Sequence, residues 1–214
     1  MVKFLLLALA FGLAHAYAEL GGKWLTTAIA ADNVDKIEKE GPLRLYVREI
    51  TCSEACSQMG VTFYVNANGQ CSATKVIAYR QEDGKYRTQF EGDNRFEPVH
   101  ATPENIVFTS KNVDRAGQTT NLIFVVGKGK PLNPEQYEKL EEFAKEQNIP
   151  KENIREVLAT AIREIKLNLL RDFVYDAGKG LYLILVGGSE KWFSCDQNQW
   201  GKWLHLALVG GSEN

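Results

Sequence analysis

The chain has 214 residues, 44% of them hydrophobic and 24% charged, ordinary values for a folded globular protein that exclude wholesale disorder. With 25 basic against 27 acidic residues it lacks the cationic excess of a nucleic-acid binder. The length suits one substantial domain, or one domain with an appendage.

Residues 1–16 have the layout of a secretory signal, with Lys3 as the positive start, Phe4 to Leu13 as the apolar core and Ala14-His15-Ala16 as a small-x-small cleavage site. Cleavage after Ala18 fits the same rule. The apolar run is too short to cross a bilayer, and no later segment could do so. Loss of the leader removes only Lys3 from the charges, leaving 24 basic residues against 27 acidic ones. The expectation is a secreted, extracellular protein with no membrane span and no nucleic-acid partner. Outside the cell, disulfides are the default fate of cysteines. Cys52 and Cys56 lie close enough to bridge a tight loop, while Cys71 and Cys195 are far apart. No Asn-x-Ser/Thr acceptor occurs.

Gly21-Gly22-Lys23-Trp24 joins paired glycines to a large aromatic. That composition suits a ring wedged where backbones approach closely, at the closed end of a structure. From Trp24 to Lys128 the chain reads as strands between short turns. The first strand is Trp24 to Ala31, and a polar connection follows from Asp32 to Pro42. Leu43 to Thr51 alternates, with Leu43, Leu45 and Val47 opposite Arg44, Tyr46 and Arg48. Val61 to Ala67 alternates too, placing Val61, Phe63 and Val65 on one face. Asn68-Gly69 and Asp83-Gly84 are two-residue hairpin signals, leading into Cys71 to Gln81 and into Tyr86 to Phe90. The last three strands are Asn94 to His100, Asn105 to Lys111 and Thr119 to Val126. The final one is apolar on both faces, so it needs a partner inside the sheet's curve and another covering its back.

That cover is expected from a helix opening at Asn133-Pro134-Glu135-Gln136, which carries an N-cap, a proline at the first position and a capping-box glutamine. Tyr137, Leu140, Phe143 and Ala144 form its apolar stripe, and Glu141 to Lys145 is a favourable spacing on the exposed side. A mainly β fold follows: an eight-stranded antiparallel up-and-down barrel with one helix packed outside. A two-sheet sandwich would use longer crossovers than the hairpin-short connections after Gly60.

On these residues the chain resembles the lipocalins, and within them the odorant- and pheromone-binding branch of rodents. The resemblance runs from Tyr17 to about Thr160. It rests on Gly22-Lys23-Trp24, Glu40-Gly41-Pro42-Leu43-Arg44, Cys52-x-x-x-Cys56, Phe90-Glu91-Gly92-Asp93-Asn94 and Asn112-Val113-Asp114-Arg115-Ala116-Gly117-Gln118. It implies a calyx holding one small hydrophobic volatile, a Cys52–Cys56 disulfide, and Trp24 plugging the closed end beneath a cation. Lys128, Lys130 and Arg155 are the candidates for that cation. In the branch, Cys71 resembles a cysteine bridged to another shortly after a segment like Val157 to Thr160. No cysteine follows there in this chain, so Cys71 is either free or paired with Cys195.

The resulting domain plan is a signal peptide at 1–16, a lipocalin domain at 17–160 and an atypical extension at 161–214. Ile154, Val157, Leu158, Ala161, Ile165, Leu169 and Phe173 keep a helical stripe into that extension, which also repeats Leu-Val-Gly-Gly-Ser-Glu at 185–190 and 208–213. Two copies are too few for a solenoid.

The inward set predicted to line a ligand cavity is Leu43, Leu45, Val47, Phe63, Val65, Val76, Thr88, Phe90, Asn94, Phe96, Ile106, Phe108, Leu122 and Phe124, with Ser110 as a further neutral polar group. It contains no Lys or Arg, which disfavours a charged ligand. A barrel of this size holds either a filled core or one small-ligand cavity, and the resemblance implies the cavity. No enzyme is expected, and neither a metal nor another cofactor. His15, His100 and His205 are scattered, and Gly127-Lys128-Gly129-Lys130 lacks phosphate-loop spacing. One lipocalin branch is an isomerase with a reactive barrel cysteine, but Cys52 at a strand end reads as bridged. The other alternative is a protein signal whose exposed loops meet a receptor. A monomer or weak dimer suits either reading.

Overall fold

The computed structural model describes residues 20–158, apart from 54 and 68–69. The expected leader at 1–16 and the extension at 161–214 lie outside the described residues. Ten antiparallel ladder segments follow one another: β1 (Gly22–Lys23), β2 (Leu25–Ala31), β3 (Tyr46–Ser53), β4 (Gln58–Ala67), β5 (Gln70–Arg80), β6 (Tyr86–Gln89), β7 (Asp93–Ala101), β8 (Asn105–Val113), β9 (Thr119–Gly127) and β10 (Ile154–Glu156). Their order in the sheet is β1-β3-β4-β5-β6-β7-β8-β9-β2-β10. β1 and β2 are one strand interrupted at Trp24, so eight strands curl around the barrel and β10 adds to the outer edge of β2. The fold is the expected calyx. The additional segments come from the break at Trp24 and from β10.

Closure is a consequence of that broken strand. Gly22 and Lys23 pair with Ile50 and Glu49 of β3, whereas Leu25 to Ala31 pair with β9. One strand therefore joins the two ends of the sheet. The seam is reinforced by the Thr26 hydroxyl, which donates to the Leu45 carbonyl at 2.7 Å and accepts from the Val47 amide at 2.9 Å. The Trp24 amide donates to the Arg48 carbonyl at 3.1 Å.

At the same point the Trp24 ring plugs the closed end. It is 1% exposed, and its indole N–H donates to the Leu20 carbonyl at 3.0 Å, so its one polar atom is satisfied. Of the three candidate cations, Lys128 takes the ring face, with its ammonium 3.2 Å from the ring centroid. The same ammonium donates to the Lys23 carbonyl at 2.9 Å. Burial lowers the Lys128 pKa and the nearby Glu104 charge opposes that shift. Gly22 sits beneath at φ +136°, a backbone conformation that a side chain would strain. Arg155 is engaged elsewhere, with Glu38.

Outside the barrel, helix α1 (Pro134–Glu146) opens with the expected capping box: the Gln136 amide donates to Asn133 Oδ1 at 2.8 Å and the Asn133 amide to Gln136 Oε1 at 3.0 Å. Its Leu140 and Ala144 pack on Ile123 and Val125 of β9 and on Ala28 and Ala30 of β2. The final barrel strand thus finds its second apolar partner. The ion pair on the exposed face joins Glu135 to Lys139, earlier in the helix than the Glu141–Lys145 spacing.

Two expectations are corrected. The helical stripe proposed from Ile154 starts later than expected: Ile154 to Glu156 form β10 and pair with Ala30 to Ala28, and Val157 and Leu158 are its first helical residues. Helix α1 has already ended: Asn148 takes φ +58°, and Pro150 opens a short 3-10 turn at Lys151–Asn153. Ala161, Ile165, Leu169 and Phe173 lie outside the described residues. The second correction is at Leu43 to Leu45, which form the end of a loop; regular pairing starts only at Tyr46.

Trp24→Ala should lower the unfolding free energy by about 3–5 kcal/mol, as for other buried aromatics. Lys128→Met, which keeps the stem and removes the cation, should cost about 1 kcal/mol. Urea denaturation of both variants measures the difference.

Candidate functional site

The barrel axis has two unlike ends. At one are Trp24, the Cys52–Cys56 loop and the β5–β6, β7–β8 and post-β9 turns. At the other lie the loop 32–45 and the β6–β7 and β8–β9 turns. The first end is shut. Cys52 and Cys56 form a disulfide, Cys56 is buried, and its carbonyl accepts the Tyr86 hydroxyl at 2.7 Å. Tyr86 stacks on Phe96, which meets Phe108 edge-on.

Above this floor the inward side chains surround a cavity. It offers about 90 Å³ to the centre of a water-sized sphere, room for roughly six to nine waters or a small organic molecule. Leu43, Leu45, Val47, Phe63, Val76, Thr88, Phe90, Asn94, Phe96, Phe108, Leu122 and Phe124 are brought together around it, as is Ser110. Two members of the predicted set are not. Ile106 is fully buried in the apolar cluster that contains Trp24, as part of the floor, and Val65 packs in the same cluster without reaching the cavity.

Ile50, Met59, Val61 and Val126 also line it. Ile50 escaped the alternation because of a bulge. Val47 pairs with Phe63 but Glu49 with Thr62, so the extra residue at Arg48 reverses the parity of β3 and turns Ile50 inward. Met59 was missed because β4 begins at Gln58, before Val61. Val61 and Val126 share inward faces already visible in the sequence.

The polar groups of the cavity are largely satisfied by the protein itself. The Asn94 amide donates to the Phe90 carbonyl at 2.6 Å, and its oxygen accepts from Asn112 Nδ2 at 3.0 Å. The Thr88 hydroxyl donates to the Ile77 carbonyl at 3.0 Å. No Lys or Arg side chain lines the space. A bound charge would therefore be desolvated without a partner, whereas an apolar surface loses nothing by entering.

Among the described residues no three His, Cys, Asp or Glu side chains converge on a metal site. His100 lies on β7 and its side chain is exposed. Cys52 is held in its disulfide. Cys71, opposite Asn66 in the β4–β5 ladder, is disulfide-bonded and not free, and its candidate partner Cys195 lies outside the described residues. No described helix is long and apolar enough to cross a membrane.

A single antiparallel barrel with one shut end, an apolar interior and one helix on its wall defines a small-molecule-binding calyx. Residues 21–161 match the lipocalin / cytosolic fatty-acid binding protein family, and the chain belongs to it. It is 77% identical over 144 residues to an odorant-binding protein of Phodopus sungorus, covering 67% of this chain and 95% of that one. The crystal structure of aphrodisin, a sex pheromone from female hamster, aligns with a TM-score of 0.64 at 57% identity, over 66% of this chain and 96% of the other. A complex of bovine odorant-binding protein with undecanal aligns at 0.50 with 33% identity, covering 66% and 90% respectively.

Thr120 shares a face of β9 with Leu122, Phe124 and Val126 and pairs with Asn112 near the open end. It is fully buried, and its hydroxyl has no partner among the described residues. Burying an unpaired hydroxyl is costly, so Thr120→Val should raise the unfolding free energy by about 1 kcal/mol. A rise in Tm by calorimetry is the expected readout.

Proposed function

We propose that the protein is a secreted, non-enzymatic carrier of small, neutral, hydrophobic volatiles, odorants or pheromones, held in the barrel cavity. The single observation that carries this reading is the cavity itself: closed below, walled by aliphatic and aromatic side chains, and with its one lining amide, Asn94, already hydrogen-bonded. The family's odorant-binding relatives and the undecanal complex of the bovine protein support it. Secretion is read from the leader at 1–16, and the carrier unit from 17–160.

Affinity follows from size. A ligand of about ten non-hydrogen atoms at roughly 0.8 kcal/mol per atom reaches about 8 kcal/mol, which is micromolar. Displacement of 1-aminoanthracene from the secreted protein by medium-chain aldehydes, alcohols and ketones should saturate in that range. The matching carboxylates at neutral pH should bind at least about tenfold more weakly, since their charge would be buried unpaired. Val76→Trp, which fills the cavity from β5, should abolish displacement while the protein stays folded. No saturable uptake of any neutral volatile by the wild-type protein would sink the carrier reading.

A further inference from the structure

Beside the cavity, at the open end, lies a second and more polar hollow of about 250 Å³, lined by Lys36, Pro42, Leu43, Glu91, Asn112, Asp114, Arg115 and Ala116. Leu43 also lines the cavity, so its side chain is the partition between the two spaces. Across the hollow, the Lys36 ammonium donates to Asp114 Oδ2 at 2.9 Å, joining the loop 32–45 to the β8–β9 turn. Both side chains are about four-fifths covered, so the pair is screened less than an open surface pair.

Each side of this ion pair is built on a rigid base. Asp114 Oδ1 accepts the amides of Ala116 and Gln118 at 2.9 Å each, which fixes the turn and leaves Oδ2 for Lys36. Those donors, with the Lys36 ammonium first among them, hold the Asp114 carboxyl below its ordinary range. On the loop side, the Lys36 carbonyl accepts the Leu43 amide at 2.8 Å. The link from Asp114 to the partition therefore runs through one residue: ammonium on one side of Lys36, carbonyl on the other. Two other charged ties of the loop, Glu38 to Arg155 and the Asp32 carboxylate to Asn121, do not line the hollow.

We propose that ligands reach the barrel cavity through this hollow by displacement of Leu43, and that the Lys36–Asp114 ion pair is the latch that keeps Leu43 in place. This rests on the carrier reading. The latch restrains passage in both directions and touches no bound ligand, so it sets rates and leaves affinity alone. Removing a pair of this kind should change the opening equilibrium by about three- to tenfold.

Stopped-flow mixing of the wild-type protein with 1-aminoanthracene, and its displacement by excess decanal, gives both rate constants. In Lys36→Met, association and dissociation should each rise by about three- to tenfold with Kd kept within about twofold, and Lys36→Arg should restore wild-type rates. Raising the salt concentration should speed exchange in the wild type and not in Lys36→Met. Amide hydrogen exchange at Leu43 and Arg44 should accelerate in Lys36→Met without ligand, while amides near Trp24 keep their protection. Unchanged exchange at Leu43 would overturn the latch. Faster exchange with unchanged probe rates would overturn the access route. A change in Kd with unchanged association would place Lys36 in the bound state and overturn both. Failure of the wild type to take up the probe would remove the carrier reading, and the route with it.

Discussion

Everything in this barrel depends on one strand having two partners. β1 and β2 are continuous in the chain, yet the break at Trp24 lets the first part bond to β3 and the second to β9. Without that division the sheet would keep two free edges, which attract other strands. The division also decides where the largest aromatic among the described residues goes, because the residue at the break keeps one backbone bond, to Arg48, and is outside the regular pairing of either ladder. Trp24 uses that freedom to turn into the closed end. There its burial contributes about 4–6 kcal/mol at 25 cal/mol per Å², an upper figure. Closing the sheet and sealing its floor are the same local event.

The rest of the molecule divides by distance from that floor. Near it the interior is dense: Ile106, Tyr86, Met59 and Trp24 are buried to within 1%. Farther up, Phe90 and Phe96 are only partly covered, and empty space begins. At the open end the contacts become polar, through Asn94, Asn112, Lys36 and Asp114. A gradient from packed floor to polar mouth is what a container requires, since stability and vacancy cannot occupy the same place.

Much of this was legible in the residues. Alternation placed most of the inward set, and Asn133-Pro134-Glu135-Gln136 announced its helix, because both signals are local and the tertiary structure agrees with them. What escaped notice needed non-local information. Ile50 faces inward only because the ladder slips at Arg48, and a slip is a property of two strands. Ile154 heads a stripe with helical spacing, but the open edge of β2 offered its segment backbone bonds that a helix could not use, and the helix waits until Val157. The choice of Lys128 over Lys130 and Arg155 depended on the turn after β9, which brings that ammonium against the ring. Leu43 and Leu45 kept their inward direction without being in a strand, since the loop that carries them is bent back onto the barrel.

Asn94 and Asn112 spend their hydrogen bonds on each other and on neighbouring carbonyls. An interior whose one amide is already occupied, with only the Thr88 and Ser110 hydroxyls beside it, has little to offer one functional group over another. It acts on its guests as a droplet of oil of fixed volume would. A carrier with such an interior ranks volatiles by their partition out of water and by whether they fit. Two molecules of equal size and hydrophobicity but different odour would be held alike, so discrimination between them would fall to whatever receives the cargo.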